Sequence, residues 1–102
     1  MVPHGVSVVV NAPAVFRFTA QTNPERHRES ARLLGDRDGD LSAALENMMR
    51  RARVPVGLSA LGYTKTDVPA LTQGTIVQKR LLNNAPRDIG EAELAQLFSE
   101  AL

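Results

Sequence analysis

The chain has 102 residues, a formal net charge of +1 and no cysteine. This length corresponds to one small domain, and the balanced charge argues against a nucleic-acid partner, because a nucleic-acid surface carries a strong basic excess. The absence of cysteine excludes a disulfide framework, which fits the cytoplasmic location that we predict, and the absence of an apolar run of about 20 residues excludes a membrane partner.

The first segment, residues 4–18, fits a strand and a helix about equally well. Its valines are β-branched and favour a strand. Pro13 would remove a ladder bond from a strand and would kink a helix. Helical spacing places one set of residues on a single face: His4, Val8, Asn11, Val15 and Phe18. These residues alone leave the choice open.

The next segment has a clear helix start at Asn23-Pro24-Glu25. Asparagine can cap a helix, proline suits its first position, and glutamate favours the positive end of the helix dipole. Gly35 is a typical C-terminal stop. We therefore predict a helix over 24–34.

Residues 36–40 form a loop whose aspartates and glycine could suggest a calcium site. The remaining oxygen ligands and the closing glutamate of such a site are missing, so Asp38 or Asp40 is better interpreted as the cap of the next helix. We predict that helix over 40–53, with its inward face formed by Leu41, Ala44, Leu45, Met48 and Ala52.

The arginines at 50, 51 and 53 complement the dipole at the end of that helix. They indicate a solvated helix end or, alternatively, an anion-binding site.

Three further helical segments complete the chain. A short turn over 59–63 ends at a glycine, and a helix over 67–79 has Thr66 as its cap and Pro69 in its first turn. A final helix over 91–101 has a regular apolar face made of Leu94, Leu97, Phe98 and Ala101. The whole pattern predicts an all-α fold, a small bundle of five or six helices.

Several short motifs run along nearly the whole chain. They are Val2-Pro3-His4-Gly5-Val6-Ser7-Val8-Val9, Pro13-Ala14-Val15-Phe16, Phe18-Thr19-Ala20, Pro24-Glu25-Arg26-His27, Leu33-Leu34-Gly35, Leu58, Leu61-Gly62-Tyr63, Asp67-Val68-Pro69-Ala70-Leu71, Gly74-Thr75 and Glu93-Leu94-Ala95-Gln96-Leu97-Phe98. This series resembles the iron-containing alcohol dehydrogenases, and among them the hydroxyacid-oxoacid transhydrogenase branch. The chain corresponds to the last third or less of such a protein.

The resemblance implies a helix over 4–18, bent near Pro13. It implies that residues 1–102 are the C-terminal part of a helical metal-binding domain, whereas the N-terminal dinucleotide-binding domain is absent from this chain. In this family, Fe²⁺ or another divalent metal and NAD are the cofactors of the full-length protein, the parent enzyme. The transhydrogenase branch oxidises 4-hydroxybutyrate while it reduces 2-oxoglutarate.

Only two histidines are available as metal ligands. From the residues alone, a lone histidine such as His4 is more often a helix cap or a core residue than a ligand. The resemblance makes His4 the last of four metal ligands, of which an aspartate and two earlier histidines are missing here. His27 lies between two arginines, which disfavour a bound cation, so we interpret it as structural or solvent-facing.

Two functions from different classes follow. The first is a C-terminal fragment of a metal-dependent oxidoreductase, inactive alone, with neither metal nor NAD tightly bound, whose partner is the missing N-terminal part of the enzyme. The alternative is a stand-alone helical module that binds another protein through the apolar face of residues 6–18. We expect self-association through the segment 4–18. A nucleic-acid binder, resting on Arg50-Arg51 and Lys79-Arg80, is a distant third in a nearly neutral chain.

Overall fold

The computed structural model describes residues 2–102, and these form helices and loops without a β-strand. The α-helices are α1 (His4–Val9), α2 (Ala12–Thr19), α3 (Pro24–Leu33), α4 (Leu41–Arg51), α5 (Val68–Ile76), α6 (Lys79–Leu82) and α7 (Glu91–Glu100), and two 3₁₀ helices cover Leu58–Leu61 and Lys65–Asp67. The predicted all-α fold is therefore confirmed. None of these helices is long and apolar enough to cross a bilayer.

The first predicted helix is divided in two at Val10 and Asn11. Pro13 explains the break, because it has no N–H to donate to the carbonyl of Val9 four residues earlier. Pro13 instead occupies the first turn of α2, where a backbone N–H would have no helical partner. The bend that we predicted near Pro13 is thus real, but it lies two residues earlier in the chain.

Side-chain caps start the helices that the sequence indicated most clearly. Asn23 and Asp40 each accept a hydrogen bond from the backbone N–H three residues later, at 3.2 and 3.0 Å. The third predicted cap, Thr66, is wrong. A 3₁₀ turn precedes α5, and it begins at Thr64, whose backbone N–H donates to the Asp67 carboxylate at 2.8 Å. The aspartate after Thr66 therefore caps the earlier turn.

The main core lies where the two ends of the chain meet. It is built on four buried residues: Val10, Ala14, Leu58 and Ala101. The backbone N–H of Leu58 donates to the Ala101 carbonyl at 2.7 Å. Gly57 permits this approach, because its φ is +86° and an added Cβ would lie 2.9 Å from the Leu102 carbonyl oxygen. The core thus fixes α1 and α2 against α7.

Helix α4 packs against α2 and α3 with a face that agrees with the predicted one at Ala44 but differs from it towards the C-terminal end of the helix. Met49 is buried, whereas Met48 is 40% exposed and Ala52 is also exposed. Ser42 turns inward, because its hydroxyl oxygen accepts a hydrogen bond from the Arg17 guanidinium at 3.0 Å. Apolar spacing could not reveal this rotation, since the buried face includes a polar residue.

The C-terminal half of the chain is a second set of packed helices. Helix α5 ends at Ile76, three residues before the predicted end, and α6 is a single turn that follows it. Helix α7 has the predicted inward face, with Leu94 and Leu97 buried against α5. The loop before α7 is fastened to α2 by Arg87, whose guanidinium lies 3.9 Å from the centroid of the Phe18 ring.

Candidate metal-ligand site

His4 is the first residue of α1, and its side chain is exposed. Pro3 precedes it with an extended backbone (φ −57°, ψ 143°), and the Pro3 carbonyl accepts the Ser7 N–H at 3.0 Å. The neighbours of His4 are a proline and a glycine, which place little side-chain bulk beside the imidazole. The imidazole is therefore accessible to a ligand from outside the domain.

Two side-chain hydrogen bonds run along α1 beneath His4. The Ser7 hydroxyl donates to the His4 carbonyl oxygen at 2.7 Å. The Asn11 side-chain amide donates to the Ser7 carbonyl oxygen at 2.9 Å. Helix α1 contains no fully buried residue, and it is attached to the domain by the partly buried Val6, which packs against the core, and by the neighbouring Val10, which is 2% exposed.

His27 has a different environment, at the junction between α2 and α3. Its Nδ1 lies 2.8 Å from the Asn23 carbonyl oxygen and therefore donates to it, and its Nε2 lies 2.9 Å from the Thr19 hydroxyl. The ring meets Phe16 edge-on, with centroids 6.1 Å apart. Both nitrogens already have partners, so the predicted structural role of His27 is confirmed.

In the acidic loop between α3 and α4, carboxylates accept hydrogen bonds from backbone N–H groups of the same segment. The Asp36 carboxylate accepts the backbone N–H groups of Asp38 and Asp40, at 3.1 and 3.2 Å. Asp40 in turn caps α4. These contacts confirm the predicted capping role at Asp40.

Of the arginines at the end of α4, Arg50 belongs to a small surface network. Arg50 and Arg17 both lie 3.5 Å from the Glu46 carboxylate, and the Arg50 side chain is 61% exposed. Exposed pairs of this kind contribute little to stability. This arrangement supports the solvated helix end rather than the anion site.

In residues 2–102, His4 does not belong to a set of ligands that could complete a metal site. Within the part that the structure describes, no group of three or more histidine, aspartate, glutamate or cysteine side chains is placed to hold a metal ion. The domain therefore offers a single exposed imidazole. The sequence did not reveal the hydrogen bonds made by the side chains of Ser7 and Asn11. The available signal is that serine and asparagine side chains can bond to backbone groups one turn away in a helical segment.

Comparisons with known proteins identify the family that the chain resembles. Residues 1–102 match the family described as "Fe-containing alcohol dehydrogenase family, C-terminal". The chain is 44% identical over 111 residues to the hydroxyacid-oxoacid transhydrogenase of Rattus norvegicus and to that of Homo sapiens, both named as mitochondrial. It is 38% identical to a probable hydroxyacid-oxoacid transhydrogenase, also named as mitochondrial, of Dictyostelium discoideum.

These alignments cover 100% of the chain but only 24%, 24% and 20% of the three relatives. The chain thus spans about a quarter of the length of the relatives that it matches. No solved structure matches it.

Proposed function

Because this chain belongs to the iron-containing alcohol dehydrogenase family, whose C-terminal portion it matches over residues 1–102, we propose that it forms part of a metal-dependent hydroxyacid-oxoacid transhydrogenase. The reaction would be hydride transfer between an alcohol or hydroxy acid and an aldehyde, ketone or oxo acid. The observation that carries this proposal is the 44% identity to transhydrogenases along the whole chain. The cytoplasmic location stays a prediction, and the names of these relatives carry the word mitochondrial.

The role proposed for this chain is to supply one nitrogen ligand, His4, to Fe²⁺ or another divalent metal. An exposed imidazole at a helix start is a suitable donor for such an ion. When bound, the ion would act as a Lewis acid that stabilises negative charge on the substrate oxygen. What α1 contributes is the placement of the imidazole.

We further propose that residues 1–102 alone are inactive. A catalytic metal site needs about three protein ligands with one position left open. The lack of a group of three candidate ligands in residues 2–102 supports this proposal, as does the lack of a glycine-rich phosphate-binding turn in the sequence. The other ligands and the NAD site would come from the N-terminal part of the parent enzyme, the full-length protein to which this C-terminal part would belong.

The test compares the isolated chain with the parent enzyme. We expect the isolated chain to hold no stoichiometric metal and to show no turnover of 4-hydroxybutyrate with 2-oxoglutarate. One tightly held metal per chain together with turnover would contradict the proposed inactivity. A parent enzyme that keeps its metal and full activity after His4→Ala would contradict the proposed ligand.

The alternative function, a stand-alone helical module, has one observation in its favour. Val8, Val15 and Phe16 are at least 38% exposed, although they lie on an apolar helical segment. Complete burial of a fully exposed side chain of this kind contributes roughly 1.5–3 kcal/mol, and burying the parts still exposed here would contribute a fraction of that for each residue. We propose that this segment associates with a second copy of the chain when the N-terminal part of the enzyme is not supplied. A monodisperse monomer at high concentration in light scattering would contradict this.

A further inference from the structure

The break between α1 and α2 is accompanied by an exchange of hydrogen-bond donors. In a continuous helix, the backbone N–H of Asn11 would donate to the carbonyl of Ser7, four residues earlier. Here that N–H donates to Val8 at 3.4 Å, and the Asn11 side-chain amide reaches the Ser7 carbonyl at 2.9 Å. The side chain therefore takes the position that the backbone donor has left.

Helix α1 depends on side-chain hydrogen bonds more than the longer helices do. It has six residues and buries none of them. An isolated helix of that length is unstable in water, because the cost of starting the helix is recovered only over many residues. Val10, which is 2% exposed, anchors the chain just after α1, and within α1 only the partly buried Val6 packs against the core.

The two side-chain bonds link the break to His4 in two steps. Asn11 holds the Ser7 carbonyl, and the Ser7 hydroxyl holds the His4 carbonyl at 2.7 Å. Each bond keeps one peptide group of α1 in its helical orientation. Loss of the Asn11 bond would leave the Ser7 carbonyl without this donor, and the turn that carries His4 would then be held mainly by its backbone hydrogen bonds and by the contact of Val6 with the core.

We propose that Asn11 is a positioning residue for His4: its side-chain amide closes α1 and so holds the imidazole where it can serve as a ligand. This inference rests on the proposed metal-binding role of His4. The active group is the N–H donor of the amide. A carboxylate of the same shape at position 11 could not donate, whereas a hydroxyl can donate to a carbonyl one turn earlier in a helix.

A reporter that does not require the parent enzyme can measure how well α1 holds His4. Val8 lies one turn after His4 and is 57% exposed, so Val8→His places two imidazoles at i and i+4 without removing a core residue. Two histidines at this spacing bind a divalent ion from one helical face. The affinity of this variant for Ni²⁺ alone then depends on the fraction of molecules in which α1 is helical.

The experiment is a calorimetric Ni²⁺ titration of the 102-residue chain. The unmodified chain is the control for binding at His4 alone and at His27. In the Val8→His background, we expect Asn11→Ala and Asn11→Asp to weaken Ni²⁺ binding by roughly two- to fivefold, the effect of losing one net hydrogen bond from a marginal helix. Asn11→Thr should restore the affinity. Asn83→Ala, at an exposed asparagine just after α6, should leave it unchanged.

Equal Ni²⁺ affinity with and without the Asn11 amide would overturn the proposal. So would a loss that Asn11→Thr fails to rescue. In the parent enzyme, Asn11→Ala should lower metal content, and an unchanged metal content would overturn the positioning role even if the reporter responds. These outcomes differ from failure of the proposed function, which is tested by His4→Ala and does not involve the Ni²⁺ reporter.

Discussion

Helix α1 and the α2–α3 junction each carry one of the two histidines, and they hold it in opposite ways. At the junction, both nitrogens of His27 have partners within 2.9 Å, and the ring packs edge-on against Phe16. In α1, the ring of His4 is exposed while the backbone beneath it is held by the side chains of Ser7 and Asn11. A histidine whose nitrogens are used by the fold is a structural element; one whose backbone is held and whose ring is accessible can serve an external ion.

The largest expected effect is on metal binding and separates the two histidines directly. His4→Ala should lower the metal affinity of the parent enzyme by at least about 100-fold, because even loss of a supporting group around a ligand costs 10–100-fold. The unfolding free energy of the isolated chain should stay within about 0.5 kcal/mol of its original value, as for other exposed positions. Metal analysis after dialysis and urea unfolding measure the two quantities.

His27→Ala is the matched variant and should show the reverse pattern. If it lowered metal content as strongly as His4→Ala, the two environments would not differ in function, and the comparison would fail.

The next effect is on stability at the junction. His27→Ala removes the bonds to Asn23 and Thr19 and the contact with Phe16. We expect the unfolding free energy to fall by about 1–2 kcal/mol, since each neutral hydrogen bond contributes about 1 kcal/mol and water can partly replace them. Urea unfolding of the isolated chain gives the value. An unchanged midpoint would show that the junction is held by other contacts.

The contrast also explains what the sequence could reveal. The starts of α3 and α4 were predictable, because Asn23 and Asp40 act on amides three residues away. His27 was assigned correctly from its two neighbouring arginines, although its partners were not foreseen. For the two helix starts, local pattern carries this information because the physical cause lies within one helical turn.

Other features depend on contacts that no local pattern contains. Arg87 and Phe18 are 69 residues apart in the chain, so their contact depends on the fold as a whole. The bend itself was predictable from Pro13, but its position at Val10 and Asn11 depends on which carbonyls keep a donor after Pro13 removes one. The role of His4 as a ligand came from family resemblance, and it stays a prediction.

A smaller effect on stability is expected from the contacts that Arg87 makes near the same junction. The Arg87 guanidinium covers the Phe18 ring at 3.9 Å and donates to the Gln21 side-chain carbonyl at 2.8 Å. Arg87→Ala should lower the unfolding free energy by about 1 kcal/mol, the usual size of a partly exposed cation–π contact. Arg87→Lys keeps the charge but loses the planar fork, so it should give an intermediate value. A lysine variant as stable as the original chain would assign the effect to charge alone.

The smallest expected effect is that of Pro13→Ala, which should make the Asn11 side chain unnecessary for holding α1. Pro13→Ala restores a backbone N–H that can donate to the Val9 carbonyl, so α1 and α2 can join into one helix. The Asn11 backbone N–H would then return to the Ser7 carbonyl. Amide hydrogens of α1 should exchange roughly fivefold more slowly, which corresponds to about one net hydrogen bond. Asn11→Ala added to this variant should have little effect on α1, because its side-chain donor is no longer needed. If Asn11→Ala still accelerated exchange in α1 as much as it does with Pro13 present, the break would not be the reason that α1 needs this side chain.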